Sequence, residues 1–313
     1  MLVMASKSLR VAIIGAGPAG FYCAGELFKE YSDGVEVDMF DRLPIPFGLV
    51  RFGVAPDHLK IKSVTKLYER IANKPGFRFW GNVEFGKHID LEDLRANYHC
   101  IMFAYGAQES RRLSISGENL QGSHAATDFV AWYNGHPDYS NYTFDLSVDT
   151  AVVVGIGNVA IDVARILCLT KEELLQSDIA DYAMDALLQS RVREVVLLGR
   201  RGPAQAAFTN PEIKALGDLQ GADIHIVDEE AELDILSRQD LDINGDKMLA
   251  RKVEIIQDFA ERNYNNKSKA IRIRFLTSAV EIFSNGLGKV SGIRLVKNEI
   301  YRTDQGVLKA RPM

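Results

Sequence analysis

The chain has 313 residues, with 37 basic and 42 acidic side chains and a formal net charge of −5; at about 150 residues per domain this length holds roughly two domains, each able to bury its own core. A hydrophobic share of 47% with 25% charged residues excludes a disordered chain, the mild acidity argues against nucleic acid as the main partner, and no apolar run reaches the ~18 residues of a membrane-spanning helix. The cysteines Cys23, Cys100 and Cys168 are dispersed, which excludes a disulfide framework, a CxxC redox pair and a cysteine-bound metal cluster, so electrons handled here need an organic cofactor.

Residues 1–10 lack an apolar core or an Arg/Ser-rich amphipathic stretch, so a cytoplasmic location is the default, with the mitochondrial matrix as the eukaryotic alternative. RVAIIG at 10–15 predicts a buried parallel strand ending in glycine. GAGPAG at 15–20 leads into a helix over 21–31, with Cys23, Leu27 and Phe28 at helical spacing. VEVDMFD at 35–41 is the next strand, and strand, glycine turn, helix and strand together make a βαβ unit. A loop rich in proline and glycine fills 44–56, followed by a helix over 59–72, a strand over 77–85 and a buried strand over 100–105.

After Ser147 the order begins again, with a strand at 151–155, a second glycine turn at 155–160 and a helix over 161–169. Further helix over 172–190 and a strand at 194–199 follow. Later strands are expected at 271–276 and 289–296, the second in a hairpin around Asn285-Gly286. One βαβ motif thus occurs twice. The expected fold class is α/β, with two Rossmann-like three-layer dinucleotide-binding domains, one over 1–108 and the other over 109–313.

The two turns differ in chemistry. Gly15, Gly17, Pro18, Ala19 and Gly20 lie in a G-x-G-x-x-G fingerprint: the first glycine permits the turn, the second lets backbone approach a pyrophosphate, and the third lets helix pack on strand. The helix N-terminus offers free N–H groups to the phosphates. Asp41, at the end of the second strand, stands where a carboxylate accepts from an adenosine ribose. Ile156, Gly157, Asn158 and Val159 lie in a G-x-G-x-x-A variant whose second strand ends instead in Arg200-Arg201. Guanidinium groups there suit a ribose 2′-phosphate. Two ribose readers imply two dinucleotides, FAD in the first domain and NADP(H) in the second, since hydride passes from nicotinamide to flavin.

The loop RLPIPFGLVRFGVAPDH at 42–58 closely resembles the signature of the adrenodoxin reductase family, FAD-containing ferredoxin–NADP reductases built like glutathione reductase. The likeness continues through FWGNV at 79–83, WYNG at 132–135, GNVAIDVAR at 157–165, GRRGP at 199–203 and AFT at 207–209. The resemblance implies FAD contacts for Ala19, Asp41, Leu49 and Val83, a pyrophosphate turn at Ile156 through Val159, and a 2′-phosphate clamp at Arg200 and Arg201. It implies Glu212 as an acid at the nicotinamide end and His58 as a histidine beside the flavin. It also implies a return of the chain to complete the FAD domain, and no such segment occurs before Met313. Either the chain is a fragment of a longer one, or its FAD binding is crippled; on the second reading it holds FAD weakly while keeping its affinity for NADP(H).

The implied activity is electron transfer from NADPH through FAD to a ferredoxin- or adrenodoxin-type iron–sulfur protein. Lys247, Arg251 and Lys252, at roughly helical spacing, match a basic stretch that the family uses for docking an acidic partner. Glu172-Glu173 and Asp228-Glu229-Glu230 lack histidines at ligand spacing, and no metal is expected. The alternatives are a non-catalytic NADP-binding remnant and an electron-input subunit like that of glutamate synthase, although the latter carries cysteine clusters that are not found ahead of Gly15.

Overall fold

The computed structural model describes residues 8–107, 110–263 and 265–313. They form two compact units, Met1–Ser110 with Asn134–Ser140, and Arg111–Tyr133 with Asn141–Met313.

The first unit runs β1 (Leu9–Ile14), α1 (Pro18–Tyr31), β2 (Val35–Phe40), α2 (Leu49–Phe52), α3 (Leu59–Lys62), α4 (Thr65–Ala72), β3 (Phe77–Trp80), α5 (Leu91–Asn97) and β4 (Cys100–Phe103). Its strands form one parallel sheet in the order β3-β2-β1-β4. Successive strand residues point to opposite faces. Val11, Ile13, Val37 and Met39 therefore pack under α1 and α4 with Phe21, Phe47, Tyr68 and Ile71, while Ala12, Ile14 and Phe40 meet Leu94 on the other face. Phe21 stacks on Tyr68 with ring centroids 4.9 Å apart.

The second unit runs α6 (Ala126–Tyr133), β5 (Thr150–Val154), α7 (Asn158–Cys168), α8 (Lys171–Leu175), α9 (Asp181–Leu188), β6 (Glu194–Leu198), α10 (Asn210–Leu216), β7 (Ala222–Ile226), α11 (Asp228–Ala231), α12 (Ile235–Asn244), α13 (Lys247–Ala260), β8 (Lys269–Arg274), β9 (Thr277–Ser284), β10 (Val290–Arg302) and β11 (Leu308–Pro312). A parallel sheet β5-β6-β8-β7 is followed by an antiparallel sheet β11-β10-β9. The expected hairpin joins β9 to β10, with the Asn285 side chain accepting from Leu287 N–H at 2.9 Å. Among the described residues no helix is long and apolar enough to cross a membrane.

Several elements depart from the sequence reading. The helix expected over 59–72 is two helices, because the Ser63 hydroxyl turns back onto the Lys60 carbonyl at 2.6 Å and competes with the helical ladder. The helix expected over 172–190 likewise breaks into α8 and α9, where the Ser177 hydroxyl bonds the Leu174 carbonyl at 2.6 Å. The strand expected over 77–85 ends at Trp80, and Asn82 follows at a φ of 58°. The strand expected to be buried at 100–105 is β4, which pairs only with β1 among the described residues and leaves Met102 and Phe103 exposed.

Candidate functional site

In the first unit the glycine turn is built by β1, α1 and the loop after β2. Gly15 has a φ of +111°, and a Cβ there would sit 2.5 Å from the Ala104 carbonyl oxygen, so only glycine fits. A Cβ on Gly17 would meet no protein atom within 4 Å, leaving the backbone open on that side. Pro18 begins α1, where a missing N–H costs nothing, and Ala19 is exposed in its first turn. The α1 N-cap makes no side-chain hydrogen bond, which leaves the N-terminal amides of this helix to solvent or to an anion.

The Asp41 carboxylate does more than the sequence reading expects. One oxygen accepts from Ala16 N–H at 2.8 Å and the other from Leu43 N–H at 2.9 Å. Phe47 N–H donates to the Ala16 carbonyl at 2.7 Å. The loop after β2 is thus sewn onto the turn, and an ionised carboxylate keeps further lone pairs for a ligand hydroxyl. Leu49 is 72% exposed at the start of α2, whereas Val83 packs against the small core beneath β1. His58 is half-buried at the N-cap of α3, and its carbonyl accepts from Ile61 N–H at 3.0 Å.

The segment Asn134–Ser140, far away in sequence, lines the same loop. Lys62 Nζ donates to Asn134 Oδ1 at 3.0 Å, Arg42 pairs with Asp138, and the His136 ring lies 4.8 Å from that of Phe52. Burial pushes the His136 imidazole below its ordinary range, partly offset by Asp138.

In the second unit the corresponding turn joins β5 to α7, with Gly155 at a φ of +134° and Gly157 as the N-cap. Ile156 is held by its carbonyl, which accepts from Ala207 N–H at 3.0 Å, and Asn158 by its side chain, which accepts from Thr209 N–H at 2.9 Å. Val159 is 46% exposed in the first helical turn. Arg200 and Arg201 follow β6, one exposed and one half-buried. Among the described residues neither guanidinium has an ion pair or a side-chain hydrogen bond. Their backbone is held firmly: the Gly199 carbonyl accepts from Thr277 N–H at 2.9 Å and the Arg201 carbonyl from Leu276 N–H at 3.1 Å.

Glu212 lies in the first turn of α10, after Pro211. Its carboxylate accepts from Arg165 at 3.4 Å, and Asp162 accepts from the same guanidinium at 2.8 Å. The Arg165 side chain is 4% exposed, so this is a buried cation held between two acids. Sequence reasoning missed its importance, although a lone arginine on a helix otherwise apolar on nearly every face was a usable signal.

The basic stretch resolves into two kinds of residue on α13. Lys247 and Arg251 are exposed one helical turn apart, with Arg251 paired to Glu254. Lys252 instead turns inward, donating to the Ala206 carbonyl at 2.7 Å with its ammonium 5.8 Å from the centre of the Phe208 ring. Burial pushes its pKa down, against the partial support of Asp246. The basic face is therefore narrower than the sequence spacing predicts.

Two parallel α/β units, each with a glycine turn between its first strand and a helix, define the fold of FAD/NAD(P)-binding proteins. The family model of pyridine nucleotide-disulphide oxidoreductases matches residues 9–201, and the chain belongs to that family. It is 45% identical over 305 residues to the NADPH-ferredoxin reductase FprA of Mycobacterium leprae, covering 96% of this chain and 66% of that protein. Its identity to the mitochondrial NADPH:adrenodoxin oxidoreductase of Salvelinus fontinalis is 40%, covering 96% and 61% of the two chains. The structure of Mycobacterium tuberculosis FprA in complex with NADPH superposes with a TM-score of 0.92 at 43% identity, over 97% of this chain and 67% of that one. The chain spans about two thirds of the length of these curated relatives.

Proposed function

We propose that the chain is a flavoprotein ferredoxin–NADP reductase, taking electrons from NADPH through FAD to a small ferredoxin- or adrenodoxin-type iron–sulfur protein. One observation carries this reading: two guanidiniums with no ion pair or side-chain hydrogen bond among the described residues follow β6 in the unit whose β5–α7 turn carries the second fingerprint. Paired arginines with no carboxylate to satisfy suit a dianionic 2′-phosphate, which they grip bidentately. The names of the relatives, NADPH-ferredoxin reductase and NADPH:adrenodoxin oxidoreductase, agree with this chemistry.

The residues of the first unit fit FAD. The open backbone at Gly17 and the uncapped α1 N-terminus suit a pyrophosphate, and Asp41 has lone pairs left for a ribose hydroxyl. Ala19, Leu49 and Val83 are the further positions assigned to it. When bound, the flavin supplies the acceptor that takes a hydride and releases electrons singly. The chain supplies orientation and electrostatics rather than a nucleophile. In the second unit Ile156, Gly157, Asn158 and Val159 hold the pyrophosphate of NADP(H), while Arg200 and Arg201 hold the 2′-phosphate. Glu212, fixed by Arg165, is assigned to the nicotinamide end of NADP(H), and His58, at the head of α3, to the side of the flavin. Lys247 and Arg251 present positive charge to an acidic partner.

The test is cofactor preference. Arg200→Ala with Arg201→Ala is expected to raise the NADPH KM about 100-fold, the loss of two charge-assisted contacts, while leaving NADH use unchanged. Wild-type protein that uses NADH as readily as NADPH would overturn the reading. NADP(H) binding without any turnover, even with added FAD and ferredoxin, would favour the non-catalytic remnant.

A further inference from the structure

The corner bearing Arg200 and Arg201 has a support that its own strand does not provide. Three successive carbonyls, those of Gly199, Arg200 and Arg201, accept hydrogen bonds from the residues that lead into and open β9 and from β10. Thr277 N–H reaches Gly199 at 2.9 Å, Leu276 N–H reaches Arg201 at 3.1 Å, and Asn298 Nδ2 reaches Arg200 at 2.8 Å. Leu276 makes its contact from a φ of +50°, a conformation that a bulky side chain rarely adopts. Its own carbonyl accepts from Asn298 N–H at 2.7 Å. Asn298 therefore holds both the Arg200 carbonyl, through its side chain, and the strained Leu276, through its backbone.

Asn298 is 4% exposed in the middle of β10. Its Nδ2 gives its second proton to Ser278 Oγ at 2.7 Å, and its Oδ1 has no partner among the described residues. The amide cannot be turned round to satisfy Oδ1 without setting that oxygen against the Arg200 carbonyl, which only accepts. One of the two protons of this buried amide is thus given to the backbone of a residue whose guanidinium has no ion pair or side-chain hydrogen bond among the described residues.

Resting on the NADP(H) reading above, we propose that Asn298 is a positioning residue that sets preference for a 2′-phosphorylated dinucleotide by fixing the backbone from which Arg200 projects. The antiparallel sheet then has a role in cofactor choice: β10 locks the corner, so the guanidinium meets the phosphate without first paying to order its own main chain. An unphosphorylated dinucleotide makes no use of Arg200 and is indifferent to this lock.

The experiment is titration of NADP⁺ and NAD⁺ into the chain by calorimetry or protein fluorescence, which needs neither flavin nor turnover. Asn298→Leu removes the donor, and Asn298→Asp keeps the shape of the side chain while placing acceptor against acceptor; the second keeps the test valid where the first fails to fold. Both are expected to weaken NADP⁺ about tenfold, the scale of one lost hydrogen bond at a preorganised contact, and to leave NAD⁺ within about twofold. In an Arg200→Ala background the same substitutions are expected to add little, because their effect runs through Arg200. Equal weakening of NADP⁺ and NAD⁺, full additivity with Arg200→Ala, or no change in either affinity would each overturn the proposal. A wild-type chain with no preference for NADP⁺ would instead overturn the functional reading, and this proposal with it.

Discussion

The Asp41 carboxylate accepts a hydrogen bond from the Ala16 amide at 2.8 Å across the mouth of the first glycine turn, 25 residues away in sequence. Its other oxygen accepts from Leu43 N–H at 2.9 Å, so the side chain ties two loops before it meets any ligand. Asp41→Ala leaves two amides without their acceptor and is expected to destabilise the first unit by about 1–3 kcal/mol. Asp41→Asn, whose single carbonyl oxygen serves only one of them, should cost less. Urea denaturation of the two variants checks this. Unchanged stability in Asp41→Ala would mean that the carboxylate is held for the ligand alone.

Arg165 carries the second prediction. Its guanidinium is buried, donating to Asp162 at 2.8 Å and Glu212 at 3.4 Å. Arg165→Met leaves two acids facing each other without the cation and is expected to cost about 3–5 kcal/mol. Adding Asp162→Asn and Glu212→Gln to that variant should restore part of the loss, because the uncompensated charges are gone. A denaturant series at constant m-value reads both effects, and a single variant as stable as wild type would remove the ion triad from the account.

How far this was legible in the sequence follows from contact range. The glycine turn 15–20 and its counterpart at 155–160 were readable because turn, helix start and strand end lie within a few residues and each has its own chemistry. The strands β1, β5 and β6 were readable for the same reason, as short apolar β-branched runs, whereas β7, interrupted by Asp223 and His225, was not expected. The breaks in the helices expected over 59–72 and 172–190 were not, since they rest on single hydroxyls, Ser63 and Ser177, choosing a carbonyl over solvent. Asn298 was invisible because it acts on a residue 98 positions away. Lys252 looked like part of a basic face because spacing on a helix says nothing of which flank packs inward.

Asp38 makes a pH-dependent prediction. Its side chain is 5% exposed and accepts from Arg78 at 2.5 Å, Trp80 Nε1 at 3.0 Å and the Tyr98 hydroxyl at 2.7 Å. Burial alone would raise its pKa, but the bonds from Arg78, Trp80 and Tyr98 outweigh it and hold the carboxyl below the usual range. A carboxyl depressed in the folded state contributes stability that is present above the unfolded value, about 3.9, and is lost as pH falls through the lower folded value. Wild type should therefore exceed Asp38→Asn in stability by a constant margin at neutral pH. That margin should shrink below about pH 4. Melting curves at several pH values test it, and a gap that widens in acid would contradict the assignment.

The last prediction separates the two kinds of lysine and arginine on α13. Lys247 and Arg251 are exposed and one turn apart, whereas Lys252 spends its ammonium on the Ala206 carbonyl. An acidic electron acceptor steered by surface charge loses association rate when that charge is reversed, most at low ionic strength, where screening is weak. Lys247→Glu with Arg251→Glu is thus expected to cut ferredoxin-dependent turnover about tenfold at low salt, and to leave reduction of a small dye unchanged. Lys252→Met should do the opposite, lowering stability through the lost bond to Ala206 while leaving the salt dependence of ferredoxin turnover as it is in wild type. Turnover that responds to Lys252 and ignores Lys247 and Arg251 would place the docking face elsewhere on the chain.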